Sequence, residues 1–204
     1  MDFFLIIFYS YLIGSIPTAF LVLKRKGINI LDEGSGNVGT LNSYEVSKSK
    51  SAAILVLITD LLKGMFPLFI TLHFFGENFV YLGISVVSAV FAHCFSIWIG
   101  FKGGRGLATA LGGSVLFVPQ LPILWGSLWL ISFWIKKDIH FANIFATFSL
   151  LVATIFYSSF FIKFSIYSST EFEYTIFVSI VLIIILIKHI EPLHNYIKML
   201  KSKS

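Results

Sequence analysis

Residues 97–113 read IWIGFKGGRGLATALGG, with Lys102 and Arg105 set among Gly103, Gly104 and Gly106 just before apolar, helix-forming sequence. Glycines let backbone N–H groups approach a ligand closely, and successive N–H groups form a concave nest for anions. A helix starting near Leu107 would add its N-terminal N–H groups and a favourable dipole. Arg105 brings a planar fork that can hold phosphate through two parallel hydrogen bonds, and Lys102 brings a mobile point charge. The chemistry on offer is phosphate binding; the plainer reading is a tight turn at a membrane surface with snorkelling cations. A second glycine-rich stretch, DEGSGNVGTLN from Asp32 to Asn42, contains Ser35, Gly36, Asn37, Gly39 and Asn42. Its hydroxyl and amide groups suit a small polyol or a phosphate, with loop capping the alternative for each. If both stretches lie on one side of a membrane, phosphate binding is the better account of the pair.

Other candidate groups narrow the chemistry. GSGNVG satisfies G-x-G-x-x-G, and Asp60 follows downstream, but Asp60 falls in the apolar run AAILVLITDLLKGMFP, where no soluble βαβ unit fits. No Walker A ending is present, and neither is a G-x-S-x-G elbow nor a His followed five positions later by Asp. Any acyl transfer would thus lack an obvious protein nucleophile, leaving the protein to supply position and charge stabilisation. His93 lies about two helical turns before Gly100, within reach of the loop holding Lys102. It reads either as a substrate or loop contact, or as a satisfied interhelical histidine. Asp60 and Lys63 share a helix face and can neutralise one another, a structural pair that would tether the glycine-rich loops. Gly64 and Pro67 follow and could kink that helix. His73, His140, His189 and His194 lack metal-ligand spacing and read as interfacial, so neither a metal nor another cofactor is expected. The lone cysteine, Cys94, excludes a disulfide framework.

The elements that position these groups are transmembrane helices. Of the 204 residues 57% are hydrophobic and 12% charged, with a mean hydropathy of +0.90, which is outside the range of an ordinary soluble domain. The net charge of +5 resides in short clusters between apolar runs, without the basic stripe of a nucleic-acid surface, so no nucleic acid is expected. Apolar runs at 3–23, 52–74, 79–99, 106–118, 121–135, 140–162 and 174–190 predict an all-α, polytopic membrane protein of about seven spans. The first run lacks the basic leading region of a cleaved signal peptide. With the N-terminus outside, one face receives Lys24, Arg25, Lys26, Lys48, Lys50, Lys102, Arg105, Lys136, Lys137, Lys188, Lys198, Lys201 and Lys203. The other receives Lys163. Positive charge collects in cytoplasmic loops, so this asymmetry predicts a cytoplasmic C-terminus and puts both glycine-rich segments on the cytoplasmic face. No repeat or linker divides the chain, and residues 1–204 are read as one domain.

GSIPTAF, GSGNVGTLN, LITDLLKG and HCFSIWIGFKGGRGLATALG, in that order and at these intervals, resemble the bacterial PlsY family of acyl-phosphate:glycerol-3-phosphate acyltransferases. The resemblance implies a compact seven-helix enzyme of the bacterial inner membrane with its active site at the cytoplasmic leaflet. It would transfer a fatty acyl group from acyl phosphate to the 1-hydroxyl of glycerol 3-phosphate, making lysophosphatidic acid without acyl-CoA or metal. It also implies that the proton is taken by the phosphate of glycerol 3-phosphate. By position, the resemblance assigns Ser35, Asn37, His93 and Arg105 to catalysis. Gly36, Gly39, Asn42, Lys102, Gly103, Gly104 and Gly106 are assigned to binding substrate and phosphate.

The departures are specific. Arg105 stands where the family usually has lysine, and Glu45 where it usually has a phosphate-binding arginine, so Lys48 or Lys50 would have to replace that cation. Val38, Thr40 and Leu41 replace the usual Pro, Ala and Thr. The usual C-terminal HREN is here HIEP at 189–192, with Asn195 a stand-in for the missing asparagine. Two other functions share this pattern: a catalytically degenerate paralogue that binds phosphate or phospholipid, and an organophosphate transporter. Transporters place polar groups near the membrane midplane, whereas the groups here gather at one face.

Overall fold

The computed structural model describes residues 1–190 together with Pro192 and His194. Asn195 and the C-terminal Lys198, Lys201 and Lys203 fall outside the described residues. The described chain is all-helical: α1 (Asp2–Gly14), α2 (Thr18–Lys24), α3 (Thr40–Ser47), α4 (Lys50–Phe75), α5 (Phe79–Cys94), α6 (Leu107–Phe117), α7 (Gln120–Lys136), α8 (Ile139–Phe161) and α9 (Glu171–Ile187). Start signals are local. Ser49, Asn78 and Asp138 cap α4, α5 and α8 through their side chains, and Thr170 forms a capping box with Glu173 at α9.

Among the described residues, three segments are long and apolar enough to cross a membrane: Asp2–Lys24, Lys50–Phe75 and Ile139–Phe164. The distribution of polarity supports a lipid surroundings. Phe66, Phe69, Phe74, Phe156 and Phe172 are exposed, while Ser10, Asp60, Lys63, Thr71, Ser85, Thr109 and Thr147 are buried. In lipid, polar groups must find partners inside the bundle. Ser10 meets Ser85 across α1 and α5 at 3.1 Å, and Tyr9 meets Thr71 across α1 and α4 at 2.6 Å.

Small residues bring backbones together where helices cross. A Cβ on Gly112 of α6 would strike the Leu61 carbonyl of α4, and one on Gly64 would strike the Thr109 carbonyl. Such close approach replaces the hydrophobic driving force that lipid removes. Gly14 of α1 meets Ala89 of α5 in the same way. Helix α4 passes through both Gly64 and Pro67 as one element.

Two expected spans depart from continuity. The run 3–23 breaks at Ser15–Pro17, because Pro17 has no N–H to donate and disfavours helical geometry at Ile16. The carbonyl of Ser15 at the break accepts a hydrogen bond from the Ser96 hydroxyl at 2.5 Å, and its hydroxyl accepts one from Trp98 Nε1 at 2.9 Å. The run 79–99 stops being α-helical at Cys94, where Phe95 turns to φ −134°, ψ 67°, and only a 3-10 turn at Ile97–Ile99 follows. Hydropathy alone carried the helix across this reversal.

Candidate active site

The loop between α5 and α6 folds back on the end of α5. Ser96 N–H donates to the Lys102 carbonyl (3.1 Å), Phe101 N–H to the Ser96 carbonyl (2.8 Å), and Gly104 N–H to the His93 carbonyl (3.1 Å). Gly103 and Gly104 make this possible because neither has a Cβ. At Gly103 such an atom would press on the His93 and Cys94 carbonyls, and at Gly104 on the His93 ring and the Val38 carbonyl. Gly106, at φ +85°, turns the chain into α6 in a conformation that disfavours other residues. Arg105 is held between these glycines, half-buried, with Nη1 3.3 Å from His140 Nδ1 at the start of α8.

The loop before α3 is built differently. Asn42, on the first turn of α3 and 1% exposed, reaches back under it. Its Oδ1 accepts from Ser35 N–H (3.0 Å), and its Nδ2 donates to the carbonyls of Glu33 (3.1 Å) and Asn37 (3.0 Å). One side chain therefore fixes the curvature of residues 33–37. Both its amide hydrogens are used within the loop, so its geometry is that of an organiser of the site, in contrast to the substrate contact expected for it.

The two loops meet at one cavity of about 370 Å³. Asn37 and Gly39 line it from the first loop, Arg105 and Gly106 from the second, Asp60 from α4, His93 from α5, and His140 and Asn143 from α8. Apart from Thr40 and Ser114 the remainder is apolar, running past Leu107, Ala110 and Leu111 to Phe117, Val118 and Leu121. The cavity thus has a polar, cation-bearing head and an apolar body. Beneath the head, Lys63 Nζ lies 2.7 Å from Asp60 Oδ1, with His93 Nδ1 3.7 Å from the same oxygen. All three residues are buried; Asp60 accepts from Lys63 and so compensates a cation beneath the second loop, while His93 Nδ1 stands beyond hydrogen-bond distance.

Not every expected residue faces the cavity. Asn37, Gly39, His93, Arg105 and Gly106 line it; Gly103 and Gly104 form its backing; Ser35 is exposed on the rim loop, and Gly36 supplies the turn there at φ +66°. Lys102 is exposed and outside the lining, at the backbone bridge that pairs it with Ser96. Lys48 is also exposed and outside the lining, at the far end of α3 from Gly39. The lysine expected to replace a lost cation is therefore not at the head. Glu45 is exposed and outside the lining as well.

Two histidines read as interfacial are placed otherwise. His140 lines the cavity, and His189 is 1% exposed with Nδ1 2.7 Å from the Ile185 carbonyl. Asn143 was missed. Its Oδ1 accepts from Trp129 Nε1 at 2.7 Å while the side chain lines the cavity, and Thr147 one turn on accepts from Trp125 Nε1 at 3.0 Å. The available signal was the spacing of His140, Asn143 and Thr147 along one face of an apolar helix.

The family model described as glycerol-3-phosphate acyltransferase matches residues 4–199. Among curated relatives, the glycerol-3-phosphate acyltransferase of Wolbachia pipientis subsp. Culex pipiens is 35% identical over 157 residues, 77% of this chain and 82% of that protein. The enzyme of the same name from Fusobacterium nucleatum is 38% identical over 159 residues, 76% of this chain and 80% of that protein. Among solved structures, the glycerol 3-phosphate form of PlsY, an integral membrane glycerol 3-phosphate acyltransferase, superposes with a TM-score of 0.81 at 27% identity, covering 97% of this chain and 93% of that one. The lysophosphatidic acid form gives a TM-score of 0.79 with the same coverage. The chain belongs to the glycerol-3-phosphate acyltransferase family, and is an acyltransferase of phospholipid synthesis embedded in a membrane.

Proposed function

We propose that the chain transfers a fatty acyl group from acyl phosphate to the 1-hydroxyl of glycerol 3-phosphate, releasing lysophosphatidic acid and inorganic phosphate. The observation that carries this reading is the joining of a head bearing Arg105 to a long apolar body in one cavity. A phosphate ester and an acyl chain need those two environments side by side. The hydroxyl oxygen forms a bond to the acyl carbonyl carbon, the bond from that carbon to the donor's phosphate oxygen breaks, and the hydroxyl proton passes to a substrate phosphate oxygen. The mixed anhydride brings the reactivity, so the protein's part is placement and charge stabilisation.

Arg105 neutralises phosphate charge, and Asn37 orients the polar substrate. The backbone of Gly39 and Gly106 admits it closely, with Ser35 and Gly36 on the rim loop and Gly103 and Gly104 holding the second loop in place behind it. His93, backed by Asp60 and Lys63, holds the second loop against α5. Glu45 lies outside the cavity lining but its charge reaches His140 beside Arg105, so Glu45→Arg is the variant that decides between an active enzyme and a degenerate paralogue. The chain forms one domain, 1–204, with about seven spans, the N-terminus outside and the C-terminus and site on the cytoplasmic side of the bacterial inner membrane. The distribution of lysine and arginine supports that orientation.

Purified protein given acyl phosphate and radiolabelled glycerol 3-phosphate should form labelled lysophosphatidic acid. Saturable glycerol 3-phosphate binding without product, with turnover appearing only in Glu45→Arg, would identify a degenerate paralogue. Uptake of the label into proteoliposomes without acyl donor would identify a transporter.

A further inference from the structure

The apolar body of the cavity reaches aromatic side chains at the far end of α6. There Phe117 and Val118 line it together with Leu121 at the start of α7 and Phe177 on α9. Behind Phe117 stands a second layer. The Phe79 ring centroid lies 4.5 Å from that of Phe117 and 6.3 Å from that of Tyr174, and Tyr174 lies 6.5 Å from Phe161. Phe79, Phe117 and Val118 are each under 5% exposed, and Tyr174 is fully buried. Gln120 Nε2 ties this layer together, 3.3 Å from both the Tyr174 hydroxyl and the Phe161 carbonyl. Gly83 contributes by absence, since a Cβ there would strike the ring of Phe177. Five helices, α5 to α9, thus contribute to a plug of packed rings.

Resting on the reading that the apolar body takes the acyl chain, we propose that this plug is a ruler, with Phe117 the residue that sets the longest acyl chain accepted. The distance available is fixed by a rigid element. Arg105 and Gly106 precede α6 and Phe117 ends it, so the depth from phosphate head to plug is the length of an 11-residue helix, about 16 Å. A chain too long for that depth must displace a ring that packs on Phe79, and close-packed interiors resist such displacement. Each excess methylene therefore discriminates by about tenfold or more in kcat/KM. The ring is also in the right place to be tuned, because the residues around it are apolar and replacement changes volume without exposing a charge.

The test uses the full chain in phospholipid nanodiscs with saturated acyl phosphates of graded length, and reads the ratio of kcat/KM between successive lengths. Wild type should show a steep cutoff. Phe117→Ala should move the cutoff to longer chains, raising the ratio of the first rejected length to the last accepted one by about tenfold. Phe117→Trp should move it to shorter chains. The opposed directions separate a ruler from loss of fold, which lowers all lengths alike and leaves the ratio in place. A wild-type profile without a cutoff, or a cutoff unmoved in both variants, overturns the ruler while leaving the acyl-transfer reading intact. Absence of wild-type turnover at every length overturns both.

Discussion

The two glycine-rich loops reach the same cavity by opposite means. The loop before α3 is shaped by one buried side chain, Asn42, which spends its amide group on residues 33–37. The loop before α6 is shaped by side chains that are missing, with Gly103 lying against the carbonyls that end α5 and Gly104 against the His93 ring and the Val38 carbonyl. A loop held by a side chain can lose its hydrogen bonds one at a time. A loop held by bare backbone has no such gradation, since an added carbon must move a helix end at Gly103, or a buried ring and the first loop at Gly104.

The largest expected effect breaks the backbone-built loop. Gly104→Ala should cost about 3 kcal/mol, as overpacking against fixed atoms does, and reduce turnover by at least about 100-fold. Thermal unfolding and the acyl-transfer assay measure the two losses together. Next, Arg105→Ala separates the cargo of that loop from its frame: turnover should fall about 100-fold with stability within about 0.5 kcal/mol of wild type. Arg105→Lys should recover part of the turnover, because charge returns without the planar fork. Asn42→Ala tests the side-chain-built loop and should cost about 2 kcal/mol, the loss of a buried amide and its stranded partners, with a fall of about tenfold in turnover. If Asn42→Ala proves harsher than Gly104→Ala, the contrast between the loops is wrong. The smallest effect belongs to Lys48→Ala, exposed beyond the far end of α3, where the KM for glycerol 3-phosphate should stay within about twofold of wild type.

Much of this was legible in residue order. Apolar runs located the helices to within a few residues, as at 106–118 against Leu107–Phe117, because lipid demands a continuous hydrogen-bonded, apolar element. The glycines and Arg105 marked the second loop, since glycine followed by a helix start has few other uses. The reversal at Cys94 was not legible: Phe95, Ile97, Trp98 and Ile99 continue the apolar pattern, and what ends the helix is the fit of glycines further along the chain. Lys102 and Lys48 were expected at the site because charge is easy to read, whereas the place of a loop residue is set by the tertiary fold. His140 and Asn143 were missed for the converse reason. Their polarity is diluted in a long apolar run, and only the tertiary placement of α8 turns that face toward Arg105.

The break between α1 and α2 carries a consequence for the second loop. The Ser15 carbonyl that Pro17 helps to strand is satisfied by a hydroxyl 81 positions later in the chain. That contact ties the break in the first apolar run to the start of the second loop, so a shift of one is felt by the other.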